Sequence, residues 1–255
     1  MHEQYFKKYT QTRYKLITCA VLYRECYLCA AKADNFIEVQ LVEQGLHDVG
    51  KEKMSSRLQA EIDKVDCEKY EAILLGYGLC NNGIVGLKSK LPLVIPRGHD
   101  CITILLGSKE KYKKYFDANP GTFFQSVGWI EQAKDNLSNP ESTTRQMGMA
   151  SYQEYVEQFG EEYAKYIMDS LGGGLNSYES FTYIDTKVGN QNKLKTHAKE
   201  NAKENNWNYQ ELEGNTSLLQ KMMNCDWNEE EFLVVQPDET IEASYCEKVI
   251  KKVAR

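Results

Sequence analysis

Three short, continuous apolar runs limit this chain more than any other feature. They are "YKLITCAV" (14–21), "YEAILLGYG" (70–78) and "LPLVIPRG" (91–98). Each is the length of a strand, too short for a buried helix, and apolar throughout rather than alternating. A strand with no polar face is buried on both sides, which is the condition of a parallel sheet covered by helices. The segments between them fit. "LYRECYLCAAKA" (22–33) has helical propensity, "NFIEVQLV" (35–42) is β-rich, and "KEKMSSRLQAEIDKV" (51–65) puts Met54, Leu58 and Ile62 on one helical face. "HDCITILLGS" (99–108) opens a further helix. The order β-α-β-α-β-loop-β-α predicts an α/β fold with a mostly parallel, Rossmann-like sheet and flanking helices.

A second, shorter series follows. Residues 120–132, "PGTFFQSVGWIEQ", read as an aromatic cover over the sheet end, and 151–171 read as a long amphipathic helix. After the glycines of 172–174 come a strand (179–186), a helix, a strand (207–214), a helix and a strand (230–237). Residues 238–255 are expected to be helical. These segments predict two α/β lobes, residues 14–150 with the candidate site and residues 151–255, smaller.

Composition narrows the function classes. The 255 residues carry a net charge of −6, so a basic nucleic-acid footprint is missing. No apolar run approaches the ~20 residues of a membrane span, and "MHEQYFKKYTQTRYK" lacks the apolar segment of a secretory signal. A cytoplasmic location is therefore expected, and with it eight reduced cysteines rather than disulfides.

In open parallel sheets ligands sit beyond the carboxyl ends of the strands, and the unusual side chains cluster there. Cys19 lies near the end of the first run, where packing as a core thiol is the stronger reading. His47 follows the second strand. Cys80 lies in "GYGLCNNG", where a thiol is not needed for packing and Gly78, Asn81 and Gly83 offer close approach to a cofactor. His99 and Cys101 stand in "PRGHDC", Cys101 being equally a ligand or the first buried residue of a helix. Thiol and imidazole together favour Zn²⁺ over Mg²⁺ or Ca²⁺. The metal set expected is Cys80 and His99, with Cys101 or His47. Cys80, His99 and Glu25 are the catalytic candidates, Glu25 being also readable as a surface partner of Arg24. The C-x-x-C of Cys26 and Cys29 falls inside a helix and reads as structural. "LGGGLNS" (171–177) precedes a strand and is a weak phosphate loop; no GxGxxG or Walker pattern occurs.

The series "LYRE", "GLHD", "ILLGYGLCNNG", "PRGHDC…LLGS" and "PGTFF…GWIE" resembles the DUF1638 family, most strongly from about residue 16 to 132. In that family a Cys stands in a glycine-bearing loop and a His in a Pro-x-x-His turn, positions matched by Cys80 and His99; His47 matches the Leu-His of the earlier loop. Some members read Asp-Cys-Gly and His-Cys where this chain has Leu79-Cys80-Asn81 and His99-Asp100-Cys101. The resemblance implies an association with corrinoid-dependent methyltransferases but supplies no reaction. His99-Asp100-Cys101 is also similar to the His-x-Cys fragment of zinc-dependent methylcobalamin:thiol methyltransferases, on a fold that is not a TIM barrel. Three functions compete: a zinc protein of one-carbon methyl transfer acting on a small molecule or a corrinoid protein, a non-catalytic accessory protein that binds a corrinoid or a methyltransferase, and a metal-free enzyme of racemase type using Cys80 and Cys225.

Overall fold

The structure is a computed structural model that describes residues 11–43, 51–119, 121–132, 178–244 and 246–254. The chain divides into two compact units, Met1–Lys109 with Asn215–Arg255, and Glu110–Gly214. The expected division at residue 150 falls among residues 133–177. That stretch, with the helix expected over 151–171 and the glycines after it, lies outside the described residues.

The first unit is built on a five-stranded sheet. β1 (Arg13–Cys19) runs through a short 3₁₀ turn, Ala20–Leu22, into α1 (Tyr23–Lys32), followed by β2 (Phe36–Val42), α2 (Lys51–Asp63), β3 (Ala72–Gly76), β4 (Leu93–Pro96) and α3 (Cys101–Leu106). β1, β2, β3 and β4 are mutually parallel in the order β2-β1-β3-β4. The apolar runs explain this: β3 and β4 are buried at every residue, as strands covered on both faces must be. Right-handed crossovers put α1 and α2 on opposite faces. α2 buries Met54, Leu58 and Ile62, the stripe its spacing predicts.

The fifth strand departs from the expected lobes. β8 (Phe232–Val235), read as part of a second α/β series, instead pairs antiparallel with β4, Leu93 opposite Val235 and Pro96 opposite Phe232. Arg97 fastens it. Its backbone N–H donates to the Glu231 carbonyl at 2.7 Å, and its buried guanidinium donates to the carbonyls of Glu229 (2.8 Å), Phe232 (3.1 Å), Lys248 (3.1 Å) and Ile250. The helix α7 (Ser217–Met223), which precedes β8, packs on α1, where Gln220 Nε2 reaches the Cys29 carbonyl at 3.4 Å.

The tail is a correction as well. The described residues of 238–255 are not helical: β9 (Glu239–Ala243) and β10 (Ile250–Ala254) form an antiparallel pair. The Glu and Lys content suggests a helix, but each strand brings one fully buried isoleucine to the pair. Ile241 and Ile250 are buried, while Lys251 pairs with Glu242 (3.1 Å) and Lys252 with Glu239 (3.2 Å) across the two strands. Opposite charges across two strands favour a hairpin.

The second unit holds α4 (Lys109–Ala118), β5 (Thr122–Ser126), α5 (Val127–Gln132), β6 (Ser180–Asp185), α6 (Gln191–Glu204) and β7 (Asn208–Glu213). The three strands are parallel in the order β5-β6-β7. The aromatic stretch expected as a cover is thus itself strand β5, its Phe123 packed against Phe181 and Trp207, each ring at 5.6 Å. The core is Val127, Phe181, Tyr183, Leu194, Ala198 and Ala202. Among the described residues no helix is long and apolar enough to cross a membrane.

Candidate functional site

The winding of the first sheet reverses between β1 and β3. The chain leaves β1 sideways to β2, then crosses back over β1 to lay down β3 and β4. Loops that leave the carboxyl ends at such a reversal diverge, and ligand crevices of open α/β sheets lie there. Here the edge carries Cys19 at the end of β1, Tyr77 and Cys80 after β3, and His99, Asp100 and Cys101 after β4.

The two later loops are joined by their backbones. Leu79 N–H donates to the Gly98 carbonyl and Cys80 N–H to the His99 carbonyl, both at 2.8 Å. Such closeness requires Gly78: a Cβ there would stand 2.6 Å from the Asp100 nitrogen and 2.8 Å from the Gly98 oxygen. Gly83 has a similar reason, since a Cβ would strike the Met54 side chain of α2. Both glycines, expected to admit a cofactor, are therefore accounted for by protein neighbours.

Between them the chain makes one left-handed turn. Cys80 (φ 43°), Asn81 (φ 59°) and Asn82 (φ 64°) are consecutive, and Gly83 N–H closes the turn on the Cys80 carbonyl at 2.9 Å. Left-handed backbone costs about 1–2 kcal/mol per ordinary residue and least for Asn, so Asn-Asn-Gly suits the turn and Cys80 bears its strain. Strain of this kind clusters at functional sites.

Tyr77 was not among the candidate residues, yet it lies at the middle of the edge. Its side chain is buried at 3% exposure, and its hydroxyl has no hydrogen-bond partner among the described residues. Burial raises its pKa well above the usual value for tyrosine, and the thiols of Cys19, Cys80, Cys101 and Cys26 push it further. The same buried hydroxyl thus feels the field of several thiols of this edge. The signal in the sequence is an aromatic with a polar tip set between two glycines at the end of an apolar strand.

Cys80 is half-buried, and its thiol is pushed up by desolvation, then by Asp100 and Cys19, against a weaker opposing backbone hydrogen bond from Gly78. Asp100 also caps α3, accepting from Ile102 N (3.0 Å) and Thr103 N (3.2 Å). Cys19, favoured by its sequence setting as a core thiol, thus acts on both Cys80 and Tyr77. Cys101 is half-buried at the start of α3. The His99 side chain is exposed, and its link to Cys80 is through its backbone. Asn81 is exposed beside Cys80, and His47 lies outside the described residues.

Glu25 is not a surface residue: it is fully buried in the first turn of α1, beside Cys26, whose thiol is raised by burial first and further by Glu25. Cys26 and Cys29 are buried in α1, Cys26 donating to Thr18 Oγ1 at 3.7 Å. Cys225 sits at the opposite edge, where Asn35 Nδ2 donates to its sulfur at 3.3 Å and Tyr14, near the start of β1, shares a hydrogen bond with it. The five residues from Tyr14 to Cys19 span about 16 Å of strand, so Cys80 and Cys225 do not face one another. Among the described residues no three His, Cys, Asp or Glu side chains stand close enough to hold a metal ion. The donors present at the edge are nonetheless sulfur, the type that suits zinc.

The profile of the family described as "Protein of unknown function (DUF1638)" matches residues 41–223. The chain belongs to the DUF1638 family. The matched stretch includes His47, Cys80, His99 and Cys101, while Cys19 and Glu25 precede it. Comparison of this DUF1638 protein with curated proteins and with solved structures finds no match.

Proposed function

We propose that this DUF1638 protein binds a thiophilic metal ion, zinc being expected, at the carboxyl edge of its first sheet, and serves one-carbon, corrinoid-linked methyl transfer. The observation that supports the reading best is that Cys19, Cys80 and Cys101 stand at or just after the ends of β1, β3 and β4, at one carboxyl edge of the sheet. Sulfur donors in that number select zinc or another soft ion over Mg²⁺ and Ca²⁺. Cys80 is the first ligand in this reading, with the others drawn from Cys19, Cys101, His99 and His47. Burial and Asp100 both disfavour a thiolate at Cys80, and a cation reverses that balance because a coordinating thiol is deprotonated outright. When bound, zinc supplies Lewis acidity that activates a coordinated thiol or water. Glu25, buried beside Cys26, is the carboxylate that orients the incoming group, and Asn81 is a polar contact at the mouth. The methyl-transfer setting rests on the family resemblance, which also makes a corrinoid protein the expected partner.

Metal analysis of the purified protein tests the reading. About one equivalent of zinc is expected in the wild type, with loss in Cys80→Ser; less than about a tenth of an equivalent after zinc incubation overturns it. If metal loads, no small molecule turns over and a corrinoid protein co-purifies, the accessory role replaces the enzymatic one.

A further inference from the structure

The outer edge of the first sheet carries an inference that does not depend on the metal reading. β2 is the last strand on its side of the order β2-β1-β3-β4-β8, and no described strand pairs with its outer edge. Natural edge strands are blunted by shortness, by proline, by lysine or by a cover. The opposite edge follows that rule: β8 has four residues, β10 packs beside it, and Arg97 ties the carbonyls of Phe232 and Ile250 together. β2 does not follow it. It has seven residues, "FIEVQLV", without proline, glycine or lysine, and Ile37, Val39 and Leu41 are partly exposed. Its one charge, Glu38, is answered inside its own chain by Lys15 at 2.9 Å and Lys69 at 2.8 Å. Phe36, which starts β2, and Tyr27 of α1, the helix packed on β2, are the exposed large apolar side chains among the described residues of this unit.

We infer that this edge joins a second copy of the chain, β2 pairing antiparallel with its counterpart about a two-fold axis through Val39, so that two sheets become one. The backbone sets the possible registers. Phe36 N–H donates inward, to the Thr12 carbonyl at 2.9 Å. Backbone groups alternate sides along a strand, so those of Ile37, Val39 and Leu41 point outward. A two-fold axis normal to the sheet keeps every side chain on its own face, and it therefore passes through a residue and not between two. With Val39 on the axis, Val39 meets Val39, Ile37 meets Leu41 and Phe36 meets Val42. All the outward residues of β2 then form hydrogen-bonded pairs, each exchanging both N–H···O bonds. Glu38 lies opposite the neutral Gln40. With Glu38 on the axis instead, two like charges stand directly opposite, which destabilises a sheet. With Gln40 on the axis, apolar Ile37 faces Glu43. One register thus matches apolar to apolar and leaves no like charges opposed, and it is a match of the strand to its own reverse, which is what an isologous contact between two copies requires.

Analytical ultracentrifugation and disulfide trapping of the full chain test this. The wild type should sediment at twice 29.3 kDa. Val39→Pro should sediment at the single-chain mass with its far-ultraviolet circular dichroism unchanged, because the N–H that proline removes points away from β1. In a background with the exposed Cys67 and Cys246 replaced by serine, Val39→Cys should oxidise to a covalent dimer, its two Cα atoms standing about 5.5 Å apart across the axis, within disulfide reach. Ile37→Cys should not, because it faces Leu41 and stands about 13 Å along the strand from its own counterpart. A monomeric wild type overturns the inference, whatever other strand the edge then accepts. A dimer that survives in folded Val39→Pro overturns it, and so does trapping by Ile37→Cys as ready as that by Val39→Cys. If Val39→Pro does not fold, the two cysteine variants decide. None of these outcomes depends on metal, so the metal reading stands or falls separately.

Discussion

Each compact unit has a parallel sheet whose carboxyl edge collects ionisable side chains, and the two edges treat them in opposite ways. In the second unit Asp185 ends β6 almost fully buried. Burial alone would raise its carboxyl, but Lys195 Nζ at 2.8 Å, with the backbone N–H (2.8 Å) and Nζ (3.2 Å) of Lys187, outweighs burial and holds it below the usual range. Lys195 also pairs with Glu211 at 2.7 Å. In the first unit the groups acting on Tyr77 and Cys80 are thiols and a carboxylate, and they add to desolvation rather than oppose it. An edge whose charges are answered from within holds its own fold together. An edge whose polar groups disfavour one another's ionisation is suited to something cationic from outside.

The largest effect should come from the first unit's own buried cation. Arg97 is two residues from His99, yet its guanidinium bonds four carbonyls and no thiol. If the contrast is right, Arg97→Met leaves those carbonyls unsatisfied and costs about 3–5 kcal/mol, read by urea denaturation. A loss under about 1 kcal/mol would break the view that this cation serves the fold.

The next effect is a pH dependence specific to one unit. A thiol whose folded pKa is raised holds its proton more tightly in the folded chain. Its stabilisation is whole below the ordinary thiol value of about 8.5 and is lost as pH rises through it. The burial-raised thiols of Cys26, Cys29 and Cys80 belong to the first unit. That unit should weaken between about pH 8.5 and 10 by up to about 1.4 kcal/mol per such thiol per pH unit. Acid acts differently. Asp185 is lowered in the folded state, so its contribution is present above the ordinary carboxylate value and is lost as pH falls through the folded one. Glu38 of the first unit is held at about 2 by Lys15, Lys69 and Tyr70, but its side chain is 36% exposed and its share is correspondingly small. Hydrogen exchange resolved by unit should therefore show loosening between about pH 8.5 and 10 chiefly in the first unit, because the burial-raised groups of the second unit, Tyr178 and Tyr209, have ordinary values near 10; equal loosening of both units in that window would contradict the contrast.

The smallest effect is Lys195→Met. It strips Asp185 and Glu211 of their shared cation, but Lys195 is 22% exposed and Lys187 remains. We expect about 1–2 kcal/mol, confined to the second unit. No change there would mean that the second edge is not held by its own charges.

The sequence discloses the strands better than their partners. The runs that hold Cys19, Tyr77 and Arg97 are strands because they are short and mostly apolar, and the rule for parallel sheets then puts Cys19, Cys80 and His99 on one edge. The antiparallel pairing of Phe232–Val235 with β4 was hidden because it depends on Arg97 finding carbonyls more than a hundred residues away. The tail misleads because its Glu and Lys content outweighs one buried isoleucine in each short strand. Asn81-Asn82-Gly83 does signal a turn, but a bond from one loop to the next, such as Cys80 to the His99 carbonyl, leaves no pattern. Tyr77 is concealed for the same reason, since of the thiols that act on it only Cys80 is near it in the chain.

Alkylation footprinting with and without zinc, read at each cysteine by mass spectrometry, tests the central claim most directly. The account predicts that zinc protects Cys80, together with Cys19 and Cys101, and leaves the exposed Cys67 and Cys246 and the opposite-edge Cys225 unchanged. Protection confined to Cys67, Cys225 or Cys246, or no protection at Cys80, would contradict it.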